Sequence, residues 1–84
     1  MSWHKNMAKW NVSGVVTCEK SIGRTSQTVQ EKNNVYTTIE YDGEGYPPEY
    51  LLKSALMRSN SLDGCGRAVD AIITNVSKQA HYGV

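Results

Sequence analysis

Pro47 and Pro48, the only two prolines of this chain, stand side by side where the sequence changes its period. Upstream the residues alternate in the manner of strands; downstream, apolar residues recur at spacings of three and four. Proline cannot donate to a sheet ladder, yet it suits the first turn of a helix, where a missing N–H costs nothing. The pair therefore divides a strand-forming part from a helix-forming part. The predicted fold class is α+β: a three-stranded antiparallel β-meander followed by two α-helices packed on one face of the sheet.

In the strand-forming part, Ala8, Trp10, Val12, Gly14, Val16 and Cys18 fall on one side of a strand ending at Glu19, with Lys9, Asn11, Ser13, Val15 and Thr17 on the other. Gly14 in its middle suggests a bulge or bend. Lys20 to Arg24 reads as a turn, because Gly23 can take positive φ. Thr25 to Glu31 reads as a weak, polar strand. Lys32-Asn33-Asn34 then reads as a hairpin turn, since Asn tolerates the left-handed conformation. Val35 to Tyr41 is the clearest strand, with Val35, Thr37, Ile39 and Tyr41 on one face.

Past the prolines, Glu49 sits where a helix dipole favours an anion, and Leu51, Leu52, Ala55 and Leu56 form a short stripe as far as Met57 or Arg58. Ser59-Asn60-Ser61 is expected to end it. A second helix is predicted next, capped by Ser61 or Asp63 and carrying Leu62, Cys65, Val69, Ile72 and Val76 on one continuous face. On that reading Ile72→Asp unfolds the protein, whereas Glu44→Ala leaves its melting unchanged. The tail from Gln79 is expected to fray.

At 84 residues the chain is read as one domain (1–84, with 1–7 and 80–84 flexible). Phe is absent and aromatic residues make up 8% of the chain, so the core draws on Val, Ile, Leu, Trp and Tyr. A core this thin often borrows stability from a partner surface, which makes a homodimer an expectation. Net charge is +1, so no global field points to nucleic acid or a membrane. Cys18 and Cys65 lie far apart and outside any C-x-x-C spacing. Their default reading is buried free thiols, with a disulfide open only if the two stripes face each other closely. No run is apolar enough to span a membrane, and Met1 to Asn6 lacks the apolar core of a secretion signal. The expected location is cytoplasmic. On that expectation the glycosylation patterns at Asn11-Val12-Ser13 and Asn75-Val76-Ser77 carry no meaning.

The candidate site is the decapeptide Tyr41 to Tyr50, which gathers Tyr41, Tyr46 and Tyr50 with Asp42, Glu44 and Glu49. Gly43 and Gly45 let its backbone bend, and the prolines stiffen its exit. Aromatic anchors with acidic neighbours match a basic patch on a protein partner. The plainer reading is a connection whose tyrosines fold back over the core. Glu40, Asp42 and Glu44 do not follow the twelve-residue calcium loop, so no metal is expected, and no cofactor. Asp63-Gly64-Cys65-Gly66-Arg67 matches neither phosphate-binding glycine motif, and is read as small residues permitting close approach. Cys65 as a nucleophile lacks a base, with His4 and His81 near the ends.

The leading expectation is thus a small non-enzymatic protein-interaction module, of the kind found among phage- or mobile-element-encoded inhibitors and adaptors, with Tyr41, Asp42, Glu44, Tyr46 and Tyr50 meeting the partner. The rival is a nucleic-acid-binding surface built from Trp3, Lys5, Lys9, Lys20 and Arg24, which mix aromatic and basic residues. Trp10 has a simpler role as a core residue in phase with Val12 and Val16.

Overall fold

The computed structural model describes residues 7–24, 27–61 and 64–79. Three strands and one helix follow in the order β1 (Ala8–Ser21), β2 (Thr28–Tyr41), α1 (Glu49–Ser61) and β3 (Arg67–Lys78). They form a sheet-dominated fold in which β1 is central, flanked by β2 and β3 in the order β2-β1-β3. Both neighbours run antiparallel to β1, and α1 carries the chain across from one edge to the other. Among the described residues no helix is long and apolar enough to cross a membrane.

The alternation of β1 decides which face is covered. Ala8, Trp10, Val12, Val16 and Cys18 are buried, while Asn11, Ser13, Val15 and Thr17 between them are half-buried. Helix α1 packs on the buried row through Leu52 and Leu56, completing a core with Val35 and Ala71. Pro48 sits at the cap of α1 rather than inside it. Its carbonyl accepts the N–H groups of Leu51 and Leu52 at 3.1 and 3.3 Å, which starts the helix at Glu49. Glu49 pairs one turn on with Lys53 at 3.1 Å.

Gly14 is required where it stands. A β-carbon there would collide with the Ile72 carbonyl oxygen on one side and with a Leu56 methyl on the other. The expected irregularity is present, as a register shift in the β1–β3 ladder between Ser13 and Gly14.

The expected meander is not what forms. Lys32, Asn33 and Asn34 make no turn; they lie opposite Thr17, Val16 and Val15 inside one strand from Thr28 to Tyr41. Continuous β1 offers a ladder partner to every one of them, and no described non-glycine residue takes positive φ. Strands β1 and β2 are joined earlier in the chain, where Gly23 has φ 63° and Ile22 N–H bonds the Gln27 carbonyl at 3.0 Å.

The predicted second helix is also overturned: residues 67–78 are strand β3. Its capping candidate Asp63 and its Leu62 fall outside the described residues, and Ser61 ends α1 instead of opening a helix. The cause of the misreading is physical. The ladder with β1 skips Thr74 between Ser13 and Gly14, and Val69 between Thr17 and Cys18. Each such bulge inserts one residue and turns the side chains over. Inward positions on β3 become Ala68, Ala71, Ile73 and Val76, at intervals of three, two and three. A strand so interrupted mimics the spacing of a helix. Ile72, placed by the helical reading at the centre of the core, stands 55% exposed on the opposite sheet face.

Three further expectations change. Helix α1 runs past Met57 and Arg58 and ends at Ser61, so Ser59-Asn60-Ser61 forms its last turn. Asn60 is buried within it and donates from its amide to the Cys18 sulfur. The cysteines are not free: Cys18 and Cys65 form a disulfide with Cα atoms 5.6 Å apart, joining the central strand to the segment that enters β3. Gly66 makes this approach possible, for a β-carbon on it would sit 2.6 Å from the Glu19 carbonyl oxygen. Gln79 is held rather than loose. Its N–H bonds the Lys9 carbonyl at 2.9 Å and its side chain reaches Asn11 at 2.8 Å.

Candidate functional site

The connection from β2 to α1 lies over the end of the sheet where Ala8, Trp10 and Lys78 meet. Between these residues and Asp42–Gly45 is a cleft of about 510 Å³. Sequence dictates its shape in two ways. Gly45 has φ 76°, a conformation that L side chains rarely adopt, and it turns the chain back toward the sheet. Pro47 then buries itself, fixing the chain on both sides of Tyr46.

The five predicted partner-binding residues do not share one fate. Tyr46 and Tyr50 are 71% and 69% exposed, and Asp42 and Glu44 are exposed beside them. Tyr41 departs from the group: it is half-buried, and its ring folds against Gly43, close enough that a β-carbon on Gly43 would strike it. Its side chain therefore shapes the loop from within.

Tyr46 does not wave freely. Its ring lies 5.1 Å from that of Trp10, inclined by 46°, a tilted aromatic contact of the favourable kind. Trp10 is a core residue, as its phase with Val12 and Val16 indicates, and it also supplies the seat for the exposed tyrosine. Among the described residues its buried Nε1–H finds no hydrogen-bond partner. An orphaned donor of this sort costs about 1–3 kcal/mol, and buried indoles usually avoid it.

Sequence reasoning missed two contributors. Lys78 lines the same cleft as Asp42 and Glu44, so both signs of charge border it. Assignment of 67–78 to a helix concealed that placement, since only a strand paired with β1 brings Lys78 opposite Trp10. The second is the uncovered sheet face, where Tyr36 is 63% exposed and donates its hydroxyl to the Asn11 side chain at 2.9 Å. The alternation of Val35 to Tyr41 already sets Tyr36 on the face opposite Val35, Thr37 and Ile39, and that placement was the signal for it.

The described members of the rival cationic set do not form one surface: Lys9 lies apart from Lys20 and Arg24. Trp3 and Lys5 lie outside the described residues. Lys9 is on the uncovered face opposite Glu40, whereas Lys20 is on the helix-covered face, paired with Glu31 at 3.6 Å. The eleven-residue interval between them spans about 36 Å of strand. Arg24 is in the hairpin turn beyond Lys20. Among the described residues, no cluster of three or more His, Cys, Asp or Glu is arranged to hold a metal ion.

No known protein family, no curated protein and no solved structure matches this chain. The functional reading therefore rests on the site itself.

Proposed function

We propose that this chain is a non-enzymatic protein-binding module whose contact surface is the β2–α1 connection, with Tyr46 and Tyr50 as anchors and Asp42 and Glu44 as charges complementary to a basic partner. The observation that carries the reading is the mounting of Tyr46. A ring with most of its surface in water is seated on buried Trp10 and flanked by buried Pro47. Such a side chain has already lost much of its conformational freedom, so less entropy remains to be lost on binding. An inhibitor or adaptor has use for a rigid aromatic knob beside acidic groups, and a role of that kind in a phage or other mobile element is part of the proposal.

The disulfide bears on where such a module works. Cysteine pairs persist in oxidising compartments and are rare where thiols are kept reduced. The Cys18–Cys65 bridge therefore favours an oxidising environment over the cytoplasm expected from the sequence.

The test is affinity capture from the organism that encodes the chain, using the wild type, Tyr46→Ala and Glu44→Lys in parallel. A specific partner should be retained by the wild type and lost or strongly reduced with both variants, while Glu44→Lys keeps the wild-type melting temperature and Tyr46→Ala, which gives up the ring contact with Trp10, melts a few degrees lower but still in one cooperative step. A partner indifferent to both substitutions makes the connection only a linker. In the same preparation, salt-sensitive micromolar binding to mixed oligonucleotides would replace this reading with the nucleic-acid one.

A further inference from the structure

The two edges of the sheet are built differently. Edge strand β3 carries both register shifts, and bulges are a common means of keeping an edge from pairing with another chain. Edge strand β2 has no such protection. It runs fourteen residues in unbroken register with β1, contains no proline, and has an outer row of backbone groups that no described strand of this chain pairs. Its three charges are Glu31, Lys32 and Glu40.

We propose that a second copy of this chain docks on that edge, pairing β2 with β2 about a two-fold axis at Tyr36. Two three-stranded sheets then become one of six strands.

A second copy fits this edge because β2 is self-complementary. Across an antiparallel two-fold, residues that face each other lie on the same side of the sheet, so the axis must pass at a residue and not between two. With the axis at Tyr36, each position faces the one whose number makes a sum of seventy-two with its own. Lys32 then faces Glu40 of the second copy, and Glu40 faces its Lys32. Opposite charges are placed at both ends of the ladder, on the uncovered face. Tyr36 meets Tyr36 at the axis and Asn34 meets Thr38. On the helix side Val35 meets Thr37 and Asn33 meets Ile39. Moving the axis one residue either way leaves Lys32 without a carboxylate within the strand.

A shallow groove between β2 and α1 supports the same contact. Ile39 and Glu40 line it from the strand, and Leu51, Ala55 and Arg58 from the helix. Ile39, Leu51 and Ala55 are each only half-buried, which is where a neighbouring copy would add apolar cover.

Sedimentation equilibrium of the oxidised protein tests the proposal. The wild type should show a monomer–dimer equilibrium. Lys32→Glu and Glu40→Lys, each of which creates two like-charged pairs, should each weaken it about tenfold or more. The double variant restores the opposite charges in exchanged places, and should return dimerisation toward wild type. Melting of each variant at high dilution separates damage to the fold, including any effect of a new charge opposite Lys9, which faces Glu40 in the β1–β2 ladder, from damage to the contact. Independently, Tyr36→Cys should cross-link two copies under mild oxidation, whereas Thr38→Cys, set against Asn34, should not. A wild type that stays monomeric at its highest soluble concentration overturns the proposal. So does a dimer indifferent to the charge exchange, or one that cross-links equally at both positions.

Discussion

At Gly14 the helix and the bulged strand both come up against the central strand, and neither can yield easily. One obstacle to a β-carbon is backbone, the Ile72 carbonyl; the other is a methyl of Leu56, itself fully buried. Gly14→Ala should therefore destabilise the protein by about 1–3 kcal/mol through overpacking, despite the ordinary preference for Ala over Gly in a strand. Thermal melting checks this, and a rise in melting temperature would refute the packing described. Leu56→Ala acts by the opposite mechanism, leaving a cavity at the centre of the core, and should cost about 2–5 kcal/mol. Ile72→Asp belongs to a different category from the one its sequence position suggested. The side chain is over half exposed on the uncovered face, beside Val15, so the substitution should cost less than about 1 kcal/mol in denaturant titration.

That reversal at Ile72 shows what the sequence could and could not disclose about the elements. Strand β1 was legible because it is central and regular: every second residue from Ala8 to Cys18 is buried, as its alternation indicates. The start of α1 was legible because Pro48 and Glu49 act locally. Strand β2 was cut at Asn33-Asn34 because turn propensity is local, whereas the ladder that keeps these residues extended comes from β1, fifteen or more positions away. Strand β3 was lost for a sharper reason. Two bulges converted its period from two to a mixture of three and two, although Val69, Ile72, Ile73, Thr74 and Val76 gave it a β-branched composition that favours strand. The tyrosine connection was found, but its seat on Trp10 and its neighbour Lys78 depended on the true place of β3. The disulfide stayed an open alternative for the same reason, because its partners meet only when the segment before β3 lies along β1. Its removal should be costly: closing a loop with sequence separation 47 contributes about 4 kcal/mol by chain entropy. Reduction should lower the melting temperature by about 10 °C or more in a domain of this size. Calorimetry with and without a reducing agent measures it, and unchanged melting on verified reduction would show the bridge to be energetically idle.

At the scale of the whole molecule, the first strand is completed by the last. β1 sits between β2, which it meets through a short hairpin, and β3, whose Lys78 lies opposite Trp10. Among the described residues a single helix lies on the covered side, so its apolar row depends on both neighbouring strands to close it. Ala71 is itself part of the buried cluster, and Ala68, Ile73 and Val76 pack against it. A chain ended at Gly66 would keep the hairpin, the helix and both cysteines, and hence most local structure. It would lose the partner of β1 along one whole edge and the lid on one flank of Val12 and Val16. Full burial of one such side chain contributes about 1.5–3 kcal/mol, and a domain of this size has little stability beyond a few such terms. The shortened chain should therefore show no cooperative thermal transition and poor dispersion of its amide proton resonances. The intact chain should unfold in one step, because no subset of its strands encloses the core. A sharp transition in the shortened chain would mean that the hairpin and helix form an autonomous unit, with β3 added as an accessory. The long sequence separation between β1 and β3 makes the same point kinetically. Closure of the sheet must wait for the last strand, so substitutions in β3 that leave its bulges intact should slow folding more than those in the hairpin turn.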